Sequence, residues 1–150
     1  MPKQHLPLPS SGAISRVTYD VPFYDTDAMG IVHHANYVRY LELARVRFLE
    51  EHDQPYTAYI EQGFHVVVTR VDVKLKRATR FSEQLEIACW LEYVGGATMT
   101  FGYQLTCGDA LTATAVTEHG VVNLEGRPIR MPEARRAHMR SLLAGASDAQ

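Results

Sequence analysis

The segment from Asp25 to Tyr37, reading DTDAMGIVHHANY, holds the side chains best suited to chemistry: two carboxylates two residues apart, a glycine and two adjacent histidines. A carboxylate can attack a carbonyl carbon directly or take a proton from water. A helix is expected to start directly after His34, and the first N–H groups of a helix have no internal partner. Together with the helix dipole they make a site for negative charge. A carbonyl oxygen held by an amide near His34 would be stabilised as it gains charge, and one such donor is worth ~3 kcal/mol in a transition state. Asp27 and that amide thus supply two halves of an acyl-transfer site, and Gly30 lets the backbone turn sharply or pass close to a ligand. In an extended segment residues two apart point the same way, which makes Asp25 a group that orients Asp27 or tunes its charge. Each residue also has a plainer reading. Asp27 suits a turn, and His33 and His34 suit ordinary hydrogen bonding at a helix start. Asn36 suits a cap, and Tyr37 suits the core with its hydroxyl bonded. Residue types alone leave both sets of readings open.

Other constellations carry less. DTDAMG begins like a calcium loop, but its fifth position is Met29 and its twelfth is Asn36 instead of a bidentate Glu. No His-Glu-x-x-His metal spacing, Gly-x-Ser-x-Gly elbow or phosphate-cradling glycine loop is present. Lys74, Lys76, Arg77 and Arg80 form a basic cluster that reads either as a solvated strand end or as a binder of phosphate groups. Arg127 and Arg130 are similar, less supported candidates. Cys89 and Cys107 lie in alternating segments and read as reduced, largely buried thiols.

The elements that position these groups follow from pattern. Apolar residues are 46% and charged residues 21% of 150, which suits one domain with a real core. Residues 1–13 read as a loose leader, 14–144 as the domain and 145–150 as a mobile tail. Arg16 to Tyr24 reads as a strand with Pro22 at its edge. Tyr37, Leu41, Ala44 and Phe48 recur at helical spacing, predicting a buried helix over 35–51 that ends near His52 ahead of Pro55. Phe64–Lys76, Gln84–Val94, Thr98–Cys107 and Ala110–Leu124 read as strands. Leu85, Ile87, Cys89 and Leu91 share one face, as do Met99, Phe101, Tyr103 and Leu105. A short basic helix is expected over 132–143, with Pro132 in its first turn. Strands joined by tight turns imply an antiparallel sheet with the helix across one face, and a second copy would cover an exposed edge. A net charge of −2, from 15 basic and 17 acidic side chains, lacks a nucleic-acid footprint. No apolar run reaches the ~20 residues of a membrane span, and no signal-peptide core is seen, so the expected compartment is the cytoplasm.

Residues 23–45, FYDTDAMGIVHHANYVRYLELAR, resemble the hotdog-fold acyl-CoA thioesterases, in particular the 4-hydroxybenzoyl-CoA thioesterase family and its Tol-Pal-associated branch. The shared signature is Asp25, Asp27, Gly30, an apolar pair, His33 and His34, then Asn36-Tyr37 opening the helix. Ala28-Met29 departs from the family, which often has a second glycine or a Pro-Ala pair there, and His33 stands where an aromatic residue is common. The resemblance implies an α+β hotdog fold, an antiparallel sheet wrapped around one long central helix. It implies acyl-CoA hydrolysis, with Asp27 as nucleophile or general base and His34 as the position whose amide faces the carbonyl. Substrate contacts are expected from Asp25, His33, Asn36, Tyr37, Arg77 and Arg80, and the resemblance further implies no metal or redox cofactor and a homodimer or homotetramer with sites at the subunit interface. Hydrolysis of acyl-carrier-protein thioesters, a non-catalytic acyl-CoA-binding module and a hotdog dehydratase are the alternatives.

Overall fold

The computed structural model describes residues 7–145. Five antiparallel strands form one sheet: β1 (Ile14–Asp20), β2 (Phe64–Leu75), β3 (Gln84–Val94), β4 (Thr98–Cys107) and β5 (Ala110–Asn123). Their spatial order is β1-β3-β4-β5-β2. Three helices accompany them, α1 (Asn36–His52), α2 (Tyr56–Glu61) and α3 (Glu133–Ser141).

The alternating strands place their apolar residues as the pattern predicts. Leu85, Ile87, Cys89 and Leu91 of β3 and Met99, Phe101, Tyr103 and Leu105 of β4 are all buried. Against this core α1 turns Tyr37, Tyr40, Leu41, Ala44, Phe48 and Leu49. Phe48 meets Phe101 edge to face at 5.6 Å, a geometry that ring quadrupoles favour. Burying each large apolar side chain here contributes about 2 kcal/mol. The second face of β3 is also closed, because Trp90 is buried over Gly102, its pairing partner on β4. A Cβ on Gly102 would lie 2.6 Å from the indole, so only glycine leaves room for it.

Element ends differ from expectation where local stereochemistry intervenes. β1 stops at Asp20 instead of reaching Tyr24, because Pro22 cannot extend the ladder and the chain enters a 3₁₀ turn over Phe23–Asp25. The helix α1 starts at Asn36 and ends at His52, where Asp53 leaves helical geometry. Pro132 precedes α3 with extended ψ instead of occupying its first turn. Cys107 is half-buried, not buried, and its thiol donates to Glu83 at 3.1 Å. The short α2 was not foreseen; six residues are too few for periodicity to show. Parts of the expected leader and tail, 1–6 and 146–150, lie outside the described residues. No described helix is long and apolar enough to cross a membrane.

Candidate active site

After the 3₁₀ turn the chain forms a small hairpin. Thr26 bridges Val32, Asp27 N–H donates to Ile31 C=O at 2.8 Å, and Gly30 N–H donates to Asp27 C=O at 2.9 Å. Gly30 closes this turn at φ +77, the left-handed region that glycine enters without a side-chain penalty. The Asp27 side chain rigidifies the same turn, its Oδ1 accepting Met29 N–H at 2.8 Å. Its Oδ2 has no partner among the described residues, and the side chain is half-exposed. The hairpin is stapled to the segment before β3, since Val32 N–H donates to Thr79 C=O at 2.8 Å and Ile31 bridges Arg80.

The returning arm leads directly into α1. Ala35 N–H bonds the His33 Nδ1 at 3.1 Å, Asn36 N–H the His33 C=O at 2.9 Å, and Tyr37 N–H the His34 C=O at 3.3 Å. No hydrogen bond from the His34 N–H is found among the described residues. The His34 N–H thus stands free just before α1, at the positive end of its dipole. Both histidines are exposed, with rings stacked at 4.2 Å.

Asp25 occupies a different environment. It is 1% exposed. Its Oδ2 accepts hydroxyl bonds from Tyr40 at 2.6 Å and Tyr19 at 2.8 Å, and its Oδ1 pairs with Arg39 at 2.6 Å. Burial alone would raise its pKa, but the two hydroxyls and the guanidinium outweigh burial and hold it below the usual carboxylate range. Burial first, and then the Asp25 carboxylate, push Tyr40 and Tyr19 up against the opposing pull of Arg39. The backbone is drawn in too, because Asp25 C=O accepts both His33 N–H at 2.9 Å and Asn36 Nδ2 at 2.8 Å.

The structure therefore sorts the sequence candidates into groups. Asp27, Gly30 and Arg80 meet at the hairpin, where the Cβ position of Gly30 lies 3.9 Å from Arg80 Nη1. Asp25, His33 and Asn36 form the tether that joins the hairpin to α1, and of the three only Asp25 is buried. Asn36 is not a side-chain cap, since its amide reaches back to Asp25 and its Oδ1 accepts from Arg39. Tyr37 is buried and packs edge-on against Tyr40 at 5.7 Å. Arg77 and Arg80 are exposed on the adjoining segment. Arg39 and Tyr19 went unassigned from sequence. The only signal was the spacing of Arg39 three residues after Asn36, which puts both on one helix face.

A slot runs beside α1 against β2. One cavity of about 300 Å³ is lined by Glu42, Arg45, Val46, Leu49, Tyr56, Val66 and Val68. A second of about 110 Å³ shares Glu42, Arg45 and Val68 and reaches Arg39. The chemistry on offer is a fixed carboxylate with one free oxygen, an unpaired amide at a helix start and, further along α1, a mostly apolar channel that neither Asp27 nor His34 lines.

Known proteins resemble this chain along most of its length. The family described as the thioesterase-like superfamily matches residues 21–139. A protein of Aquifex aeolicus named as an esterase is 36% identical over 113 residues, covering 75% of this chain and 88% of that one. The acyl-CoA thioesterase YbgC of Haemophilus influenzae is 28% identical, covering 75% and 85%. The crystal structure of the hypothetical protein TT1821 from Thermus thermophilus superposes with a TM-score of 0.82 at 30% identity, over 87% of this chain and 98% of that one. A match that runs from the end of β1 to α3 takes in the hairpin, α1 and the rest of the sheet together, and the chain accordingly belongs to the thioesterase-like superfamily.

Proposed function

We propose that this protein hydrolyses acyl-coenzyme A thioesters to the free acid and coenzyme A, and that it belongs to the 4-hydroxybenzoyl-CoA thioesterase branch associated with Tol-Pal. The observation that carries the reading is the Asp27 carboxylate. One oxygen is locked by Met29 N–H and the other is free, in a hairpin that feeds straight into the start of α1. In one route Asp27 attacks the thioester carbon, the oxyanion is held by the His34 amide, and the thiolate leaves, giving an anhydride that water cleaves. In the other Asp27 takes a proton from the attacking water. The acyl group lies in the slot beside α1, the helix around which the sheet wraps. Arg77 and Arg80 meet the phosphates, while His33, Asn36 and Tyr37 shape the approach. Asp25, fully engaged by Tyr19, Tyr40 and Arg39, holds the hairpin in place. The working form is a homodimer or homotetramer. The compartment is the cytoplasm, where free thiols such as Cys89 and Cys107 stay reduced.

The test is thiol release across short, long and aromatic acyl-CoAs, with Asp27→Asn as the comparison. Asparagine keeps the Oδ1 acceptor for Met29, so the turn and substrate affinity survive while kcat falls about 10²- to 10⁴-fold. Near-normal release by Asp27→Asn would remove Asp27 from the mechanism, and no release from any acyl-CoA would remove the activity.

A further inference from the structure

Two aromatic rings stand in solvent beside the Asp27 hairpin. Phe23 is 75% exposed and Phe81 is 53% exposed. They meet at 5.8 Å with an interplanar angle of 82°, forming a corner with one ring's face and the other's edge as walls. Phe23 opens the 3₁₀ turn Phe23–Asp25. Phe81 sits at the tip of the turn Arg80–Glu83, which is closed by Glu83 N–H to Arg80 C=O and by Arg80 N–H to Glu83 Oε1 at 2.8 Å. Arg77 and Arg80 flank this corner along the chain, both exposed, and neither has a carboxylate within ion-pair distance among the described residues. The neighbouring acid Glu83 accepts from the Cys107 thiol and the Arg80 amide, and the charges of Arg77 and Arg80 act on it from beyond ion-pair distance.

An apolar corner edged by exposed guanidiniums complements a ligand that is flat and aromatic at one end and anionic beside it. A purely apolar partner would leave the arginines unused. The nucleotide end of coenzyme A has this chemistry, since bases stack on aromatic side chains and guanidiniums take phosphates in bidentate fashion. We propose that Phe23 and Phe81 are the adenine platform of this site, with Arg77 and Arg80 as its phosphate ligands, so that the enzyme selects thioesters of coenzyme A over those of a carrier protein. The proposal rests on the acyl-CoA reading above and adds to it a specificity element. The phosphopantetheine arm of a carrier protein has no adenine to place there.

Two measurements test it. Calorimetry with adenosine 3′,5′-bisphosphate, the nucleotide part of coenzyme A, needs no turnover. The wild-type protein is expected to bind it, and Phe81→Ala and Arg80→Gln each weaken binding about tenfold. Kinetics then compare kcat/KM for an acyl-CoA with kcat/KM for the same acyl group on pantetheine, which lacks the nucleotide. The ratio is expected to fall about tenfold in Phe81→Ala. No nucleotide binding by the wild type, equal affinity in both variants, or an unchanged ratio would each overturn the platform. So would a change of oligomeric mass in Phe81→Ala at unchanged nucleotide affinity, which would give the corner to a second copy. Nucleotide binding without thiol release from either thioester would instead sink the hydrolase reading and uphold the platform.

Discussion

The two carboxylates of the hairpin differ in kind, although they are two residues apart. Asp27 spends one oxygen on its own turn and keeps the other available. Asp25 spends both, on two tyrosines and an arginine, inside the protein. A carboxylate so engaged is poorly placed to attack anything, but it is a strong fastener, because charged hydrogen bonds out of water contribute more than neutral ones. Replacing Asp25 with Asn leaves three donors facing an amide, and the expected loss of stability at neutral pH is about 2–3 kcal/mol, moderated by the exposure of Arg39. The sign with pH follows from the lowered folded pKa. The Asp25 contribution is fully present above the ordinary value of 3.8 and is lost as pH falls through the lower folded value. Denaturant melts at successive pH values should therefore show wild type and Asp25→Asn converging below that value. A constant gap across the acid range would mean that the Asp25 charge does not hold the hairpin.

Among elements, the junction of the three helices depends on one buried acid. Asp53, directly after α1, has a fully buried side chain. It accepts from the Tyr59 hydroxyl on α2, pairs with Arg135 on α3, and lies 3.7 Å from His138. His138 in turn bonds the His52 carbonyl at the end of α1, at 2.7 Å. Breaking a buried ion pair from one side leaves the other charge uncompensated. Asp53→Ala is expected to cost about 3 kcal/mol for that reason, and to loosen α3 and α2 before the sheet. Hydrogen exchange followed by mass spectrometry reads this directly: protection over Glu133–Ser141 and Tyr56–Glu61 should fall while β3 and β4 keep theirs. Uniform loss across all elements would argue against a local fastening role.

For the whole molecule, what matters is the sheet edge formed by β2. β2 pairs with β5 on one side only, so its other edge presents unpaired backbone groups. It also exposes Val67, Val68 and Val71, with Val68 47% accessible. A long, valine-rich edge of this kind calls for cover, and a second copy meeting it through β2 is the proposed dimer. Val68→Lys places a charge in that seam. The expected outcome in sedimentation is a shift from a dimer or larger species toward the 16.9 kDa chain, at an unchanged melting profile of secondary structure. A wild-type chain that sediments as a monomer at micromolar concentration would end the dimer proposal.

What the order of residues determined by itself was local and periodic. Alternation placed Leu85 to Leu91 and Met99 to Leu105 in the core, and helical spacing placed Tyr37 to Phe48 beside them, because side-chain direction follows directly from strand and helix geometry. The spacing of Asp25, Asp27 and Gly30 likewise marked a turn before a helix. The division of labour between Asp25 and Asp27 was decided only in three dimensions. Tyr19 comes from β1, and Tyr40 and Arg39 from α1, and no spacing along the chain reveals that they converge. The same holds for Phe23 and Phe81, 58 residues apart and in contact, and for Asp53 with Arg135. Contacts between distant residues are set by how sheet and helices pack, and a one-dimensional pattern carries only the period of each element, not its partner.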